Sequence, residues 1–70
     1  MQSFKSFTQD YESISIEILG NDNQWRRTDG GISNNAQAIA RAMEIVKKRH
    51  PNNRVRAVGQ TSGRFYDMLP

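Results

Sequence analysis

The sequence contains no cysteine, one histidine and one tryptophan among its 70 residues. The absence of cysteine excludes disulfides, thiolate metal sites and cysteine nucleophiles. No apolar run approaches the roughly 20 residues that cross a membrane, and residues 1–7 lack the continuous apolar stretch of a signal peptide. We therefore expect a cytoplasmic protein that has no membrane partner.

Residues that could support catalysis or bind a metal are also scarce. General acid–base and nucleophilic catalysis need at least two converging reactive groups, usually including a histidine. His50 has no second histidine or cysteine with which to form a metal site. Gly30 and Gly31 lack the lysine of a P-loop and the third glycine of a dinucleotide-binding motif. We predict that the protein is not an enzyme and uses no metal or cofactor.

The formal net charge of +3 is distributed unevenly along the chain. Residues 1–35 carry three basic and five acidic side chains, whereas residues 36–70 carry seven basic and two acidic ones. An excess of positive charge in one half of a chain favours a polyanionic partner. Such a partner could be nucleic acid or an acidic surface of another protein.

Alternating apolar residues predict four strands in two hairpins. Between residues 11 and 19, three isoleucines alternate with serine and glutamate, which is typical of a strand with one buried face. Residues 20–23 form the predicted turn to a second strand at 24–28, which the Asp-Gly-Gly sequence at 29–31 is expected to end. Residues 54–59 and 64–69 form the second hairpin, with its turn at 60–63.

A helix is predicted between the two hairpins. Ser33, Asn34 and Asn35 are all suitable N-cap residues, and Asn34 has capping-box spacing with Gln37. Pro51 ends the helix, because proline disfavours helical geometry in the residue before it. One face of this helix carries an apolar stripe formed by Ala36, Ile39, Ala40, Met43 and Val46.

These elements predict an α+β, two-layer ββαββ fold, in which one helix packs on one face of a small, mainly antiparallel four-stranded sheet. The antiparallel strand order 2-1-3-4 satisfies every short connection, and a parallel pairing of strands two and three is the alternative. We expect residues 1–10 to form a loosely ordered N-terminal arm and residues 11–70 a single domain. A chain of this length buries only about 60% of its unfolded surface, so it can hold one small core.

A single helix leaves one face of the predicted sheet uncovered. If Trp25 and Phe65 face the helix with the other large apolar residues, alternation places four arginines and two tyrosines on the uncovered face. Arginine and tyrosine stack on unpaired bases, and arginine contacts phosphates. Tyrosine and arginine are also common at protein–protein hot spots. The predicted residues of this face are Tyr11, Arg26, Arg54, Arg56, Arg64 and Tyr66.

The last turn of the helix carries a second basic cluster, formed by Lys47, Lys48 and Arg49. These side chains could neutralise phosphates. They also complement the negative end of the helix dipole, an ordinary structural role that we favour.

We predict a small non-enzymatic binding module whose basic, arginine- and tyrosine-bearing sheet face binds nucleic acid with little sequence specificity. The alternative is a protein–protein interaction module, either a homodimer or a small adaptor or inhibitor that covers an acidic surface of a larger protein. Exposed sheet edges would suit that alternative. The predicted binding residues are Tyr11, Arg26, Arg54, Arg56, Arg64 and Tyr66, together with Lys47, Lys48 and Arg49.

Overall fold

The computed structural model describes residues 12–70 and confirms the two-layer α+β fold. The predicted arm of residues 1–10 and the predicted binding residue Tyr11 lie outside the described residues. The elements in chain order are β1 (Ile14–Leu19), β2 (Trp25–Ile32), α1 (Ala36–Arg49), β3 (Val55–Gly59) and β4 (Phe65–Leu69).

The four strands form one sheet in the order β2-β1-β3-β4, and every neighbouring pair is antiparallel. The predicted order 2-1-3-4 is therefore confirmed. Because β2 and β3 are both antiparallel to β1, they run parallel to each other, but they lie on opposite sides of β1 and do not pair. The alternative with paired second and third strands is wrong. Helix α1 connects these two strands.

The core lies between α1 and one face of the sheet. Central positions of β1 and β3 meet Ile39, Met43 and Val46 of the helix there, as the alternation of the strands and the period of the helix predict. Ala36 and Ala40, which were predicted on the same stripe, are exposed, and Ala42 packs against the core instead. Three further strand residues, Ile18, Ile32 and Leu69, are partly buried around it. The buried core residues are Ile14, Ile16, Ile39, Met43, Val46, Val55 and Ala57.

A side-chain hydrogen bond begins α1, and a lysine anchors its last turn to neighbouring segments. The N-cap is Asn35, whose side-chain oxygen accepts a hydrogen bond of 2.9 Å from the backbone N–H of Ala38. The capping box proposed for Asn34 is therefore not the device that begins the helix. At the other end, Lys47 Nζ donates hydrogen bonds to the carbonyl oxygens of Asn53 and Pro70. Lys47 thus ties the helix to the segment before β3 and to the residue after β4.

Strand β2 continues beyond Thr28, where the sequence predicted its end. Its register against β1 shifts twice, once between Ile14 and Ile16 and again at the next residue. Gly31 has a φ of 67°, a left-handed conformation that glycine adopts without the steric cost of a Cβ. The glycine pair therefore forms an irregularity within the strand instead of ending it.

The β3–β4 turn is held by Glu12. Its carboxylate accepts hydrogen bonds from the backbone N–H groups of Thr61 (2.9 Å) and Ser62 (2.8 Å) and from the Ser62 hydroxyl (2.6 Å). A Cβ on Gly59 would collide with the Glu12 carboxylate and the Ser62 hydroxyl, so a larger residue there would displace these side chains from their present contacts. The hydrogen bonds, led by that from the Ser62 hydroxyl, lower the pKa of Glu12 below its ordinary value of 4.5.

This arrangement predicts a pH-dependent contribution of Glu12 to stability. Because the folded state lowers the pKa, the contribution is fully present above the ordinary value and is lost as the pH falls through the lower folded value. We expect Glu12→Gln to lower the unfolding temperature at neutral pH. The difference from the wild type should shrink as the pH falls below the ordinary value of 4.5 and through the lower folded pKa of Glu12. Thermal unfolding, monitored by circular dichroism from neutral to acidic pH, measures this difference in unfolding temperature.

Glu44→Gln is the matched control for this prediction. Glu44 is exposed on α1 and forms no ion pair with another residue of the described range. Its substitution should lower the unfolding temperature much less at neutral pH. An equal loss in the two variants would contradict the role given to Glu12.

Candidate functional site

The sheet face opposite α1 is the candidate site, and we call it the open face. Residues directly opposite each other on neighbouring strands share a face, so the strand registers identify its members. Ser15 pairs with Val58, Glu17 with Arg27 and Arg56, and Leu19 with Trp25. The open face consists of Ser15, Glu17, Leu19, Trp25, Arg27, Arg54, Arg56, Val58, Phe65 and Met68.

Trp25 lies on the open face, so its predicted position in the core is wrong. It pairs with Leu19 and not with a helix-facing isoleucine. The guanidinium carbon of Arg56 lies over its indole ring, 4.2 Å from the ring centroid. The prediction failed because Trp25 is the only large apolar residue at 24–28, and a single residue cannot fix which face of a strand is buried.

Arg26 is not on the open face, contrary to the prediction. It pairs with Ile18, whose side chain packs against the core. Its guanidinium forms two hydrogen bonds, of 3.0 and 2.6 Å, with the carboxylate of Asp22 in the β1–β2 turn. These contacts lower the pKa of Asp22 to about 2. The next residue, Arg27, lies on the open face in its place.

An irregularity in β4 exchanges the predicted positions of Phe65 and Tyr66. Ala57 pairs with Asp67 and Val58 with Phe65, so Tyr66 is the extra residue. Phe65 is therefore on the open face, with 57% of its surface exposed. Tyr66 packs against the core, and its hydroxyl lies 3.3 Å from both the Asn34 amide and the Glu12 carboxylate.

Arg64, like Tyr66, does not lie on the open face. Its guanidinium carbon lies 5.8 Å from the centroid of the Tyr66 ring. The predicted placement of Arg64 and Tyr66 on the open face is thus wrong, because a one-residue shift in register moves side chains to the opposite face of a strand.

Arg56 is the central side chain of the open face. Its Nε donates to Glu17 Oε1 at 2.7 Å, while its guanidinium covers the indole of Trp25. The side chain of Arg56 keeps 29% of its surface exposed, and that of Glu17 keeps 20%. Two contacts of different kinds therefore hold one guanidinium in place while leaving part of it accessible to a ligand.

Two further arginines extend the positive charge of the open face. Arg27 lies beside Glu17 on β2, and Arg54 comes directly before β3, where its carbonyl accepts a hydrogen bond from the N–H of Leu19. Both side chains are exposed, and neither forms an ion pair with a residue between 12 and 70. The open face thus carries three arginines and one carboxylate, which Arg56 already contacts.

A shallow depression of about 360 Å³ lies on the open face next to the β3–β4 turn. Ser15 and Gln60 form part of its lining, together with Glu17, Arg27 and Arg56. The Gln60 side-chain oxygen accepts hydrogen bonds from Gly31 N–H (2.9 Å) and from the Ser15 hydroxyl (3.4 Å). The Gln60 side-chain oxygen is therefore already hydrogen-bonded within the fold. The arginines at the border of the depression are the groups open to an anionic ligand.

The basic end of α1 is separate from the open face. Lys47 is engaged by the two carbonyl oxygens described above, and Arg49 forms an ion pair of 2.7 Å with Asp29 of β2. Lys48 is exposed. The structure does not bring these three residues together with the arginines of the sheet, and the contacts of Lys47 and Arg49 favour the structural role.

No protein-family model, curated protein or solved structure matches the chain. Within residues 12–70, no group of three histidine, aspartate or glutamate side chains is placed to hold a metal ion. Over the same range, no helix has the length and apolar character needed to cross a membrane. The functional proposal therefore depends on the composition and geometry of the open face.

Proposed function

We propose that the protein is a non-enzymatic binding module whose open face binds nucleic acid with little sequence specificity. The observation that carries this proposal is that Arg27, Arg54 and Arg56 lie on one face of the sheet, where Glu17 is the only carboxylate among residues 12–70. We further propose a cytoplasmic location, where such a partner is available.

Arginine suits this role because its planar guanidinium donates two parallel hydrogen bonds to a phosphate group. Each phosphate contact releases condensed counterions, which makes the affinity strongly dependent on salt. Contacts of this kind carry no information about base identity. A face dominated by exposed guanidinium groups therefore favours binding with weak sequence preference.

The same charges disfavour a homodimer formed by two stacked open faces, because like charges would meet across that interface. The second candidate function is an adaptor that covers an acidic surface of a larger protein. The observation favouring it is Phe65, which is 57% exposed beside the arginines, since aromatic and arginine side chains are enriched in protein interfaces.

Titration of a labelled oligonucleotide at several salt concentrations tests the proposal. If two or three arginines contact phosphates, the logarithm of the association constant should fall with the logarithm of salt concentration, with a slope of roughly −1.5 to −3. Absence of binding at low salt, or an affinity indifferent to salt, would count against the proposal. Recovery of one acidic protein in a nuclease-insensitive pull-down, without oligonucleotide binding, would favour the adaptor.

A further inference from the structure

Phe65 presents an aromatic ring to solvent at one edge of the open face. It is 57% exposed, although it belongs to a strand of the sheet. Its neighbour Tyr66 takes the place on the core side. An exposed aromatic ring can stack on an unpaired base, because every base has a π-face.

The Trp25–Arg56 pair forms a second surface for stacking. It lies toward β2, the edge strand opposite β4. Arg56 lies over the indole at 4.2 Å and is fixed by Glu17 at 2.7 Å. Bases stack on guanidinium planes as well as on aromatic rings. A base could therefore stack on this pair without first disrupting it.

The two stacking surfaces lie diagonally across the sheet. Trp25 is on β2 and Phe65 on β4, three strand spacings apart, or about 14 Å across the sheet. Trp25 is level with Leu19, whereas Phe65 is level with Val58 and hence with Ser15. Four residues along a strand add about 13 Å, so the diagonal is roughly 20 Å. A short single-stranded segment of a few nucleotides could span it.

A duplex cannot use these surfaces in the same way. The major groove of B-form DNA is about 12 Å wide and admits a helix or a two-stranded ribbon, whereas the open face is formed by four strands. Bases within a duplex are also stacked on each other, so their faces are unavailable. A duplex would contact the arginines and leave Phe65 without a partner.

We propose that the open face binds single-stranded nucleic acid in preference to duplex, with bases stacked on Phe65 and on the Trp25–Arg56 pair. This inference depends on the proposed nucleic-acid function and specifies its ligand. Arg27 and Arg54 contact the phosphates, and the aromatic surfaces distinguish unpaired bases from paired ones.

The test compares a labelled single-stranded oligonucleotide with a duplex of the same length at one low salt concentration, using fluorescence anisotropy. We expect tighter binding of the single strand. Phe65→Ala should weaken single-strand binding roughly 5- to 150-fold and leave duplex binding unchanged. Because Trp25 is the only tryptophan, single-strand binding to the wild type should also quench its fluorescence.

Ile45→Ala is the matched control, because Ile45 is a large apolar residue with 51% exposure on α1 and not on the open face. It should bind both ligands as the wild type does, and thermal unfolding verifies that both variants fold. Equal affinity for the two ligands, with no effect of Phe65→Ala, would overturn the single-strand preference but not the proposed function. Failure of both ligands to bind would overturn both.

Discussion

Ile16→Ala is expected to remove a large part of the protein's free energy of unfolding. Ile16 is fully buried at the centre of β1 and is flanked by β2 and β3, so its truncation leaves a cavity that the neighbouring strands cannot close. Such a substitution costs roughly 2–5 kcal/mol. Since small domains are stable by only about 5 kcal/mol, the loss approaches the whole free energy of unfolding. Urea unfolding, monitored by circular dichroism, measures this loss of free energy.

Two further variants establish that burial causes the loss. Ile45→Ala removes the same atoms from a residue that is 51% exposed on α1, and it should change the free energy of unfolding by about 0.5 kcal/mol or less. Ile16→Val leaves a smaller cavity and should cost about 0.5–1.5 kcal/mol. Equal effects of Ile16→Ala and Ile45→Ala would show that the core does not lie between α1 and β1.

The sequence was sufficient to predict the elements whose periodicity is strong. In β1, three isoleucines at every second position determine which face is buried. In α1, Ile39, Met43 and Val46 at helical spacing determine the face that packs on the sheet. Short connections then restrict the strand order. These features explain why the architecture and strand order could be predicted before any contact was known.

The two edge strands could not be predicted in the same detail. Strand β2 has one large apolar residue in its first half, so nothing in the pattern decides whether Trp25 or Arg26 faces the helix. In β4, Phe65 and Tyr66 are adjacent aromatics, and the extra residue in that strand leaves no signature in the sequence. A shift of one residue reverses the faces, and this accounts for the misplaced residues of the two edge strands.

The structure retains a basic sheet face, although some of its residues differ from the predicted ones. Its centre was predicted correctly because the alternation of β3 is clear. Arg54 and Arg56 follow the alternation of β3, in which Val55 and Ala57 are buried. On β2, the adjacent Arg27 takes the position that was expected for Arg26. The aromatic component was missed, since Trp25 and Phe65 were expected in the core and Tyr66 on the open face. Large aromatics are usually buried in small domains, and only the strand registers reveal this exception.

Replacing both Arg27 and Arg54 with alanine is expected to reduce nucleic-acid affinity at least about tenfold at low salt and to reduce the salt-dependence slope by roughly one to two. Both side chains are exposed, so the free energy of unfolding should change little. Arg56 is left in place because it contacts Glu17 and Trp25. Its removal would alter the face itself as well as its charge.

The matched control is the double variant Arg41→Ala with Arg64→Ala, which removes the same net charge from outside the open face. Both of these side chains are exposed, on α1 and in the segment before β4. If the open face is the binding site, the control should retain more of the affinity and of the slope than the Arg27, Arg54 double variant, because a phosphate bound on the open face is not contacted by side chains outside it. Equal losses in the two double variants would mean that overall charge, and not the convergence of arginines on one sheet face, drives binding.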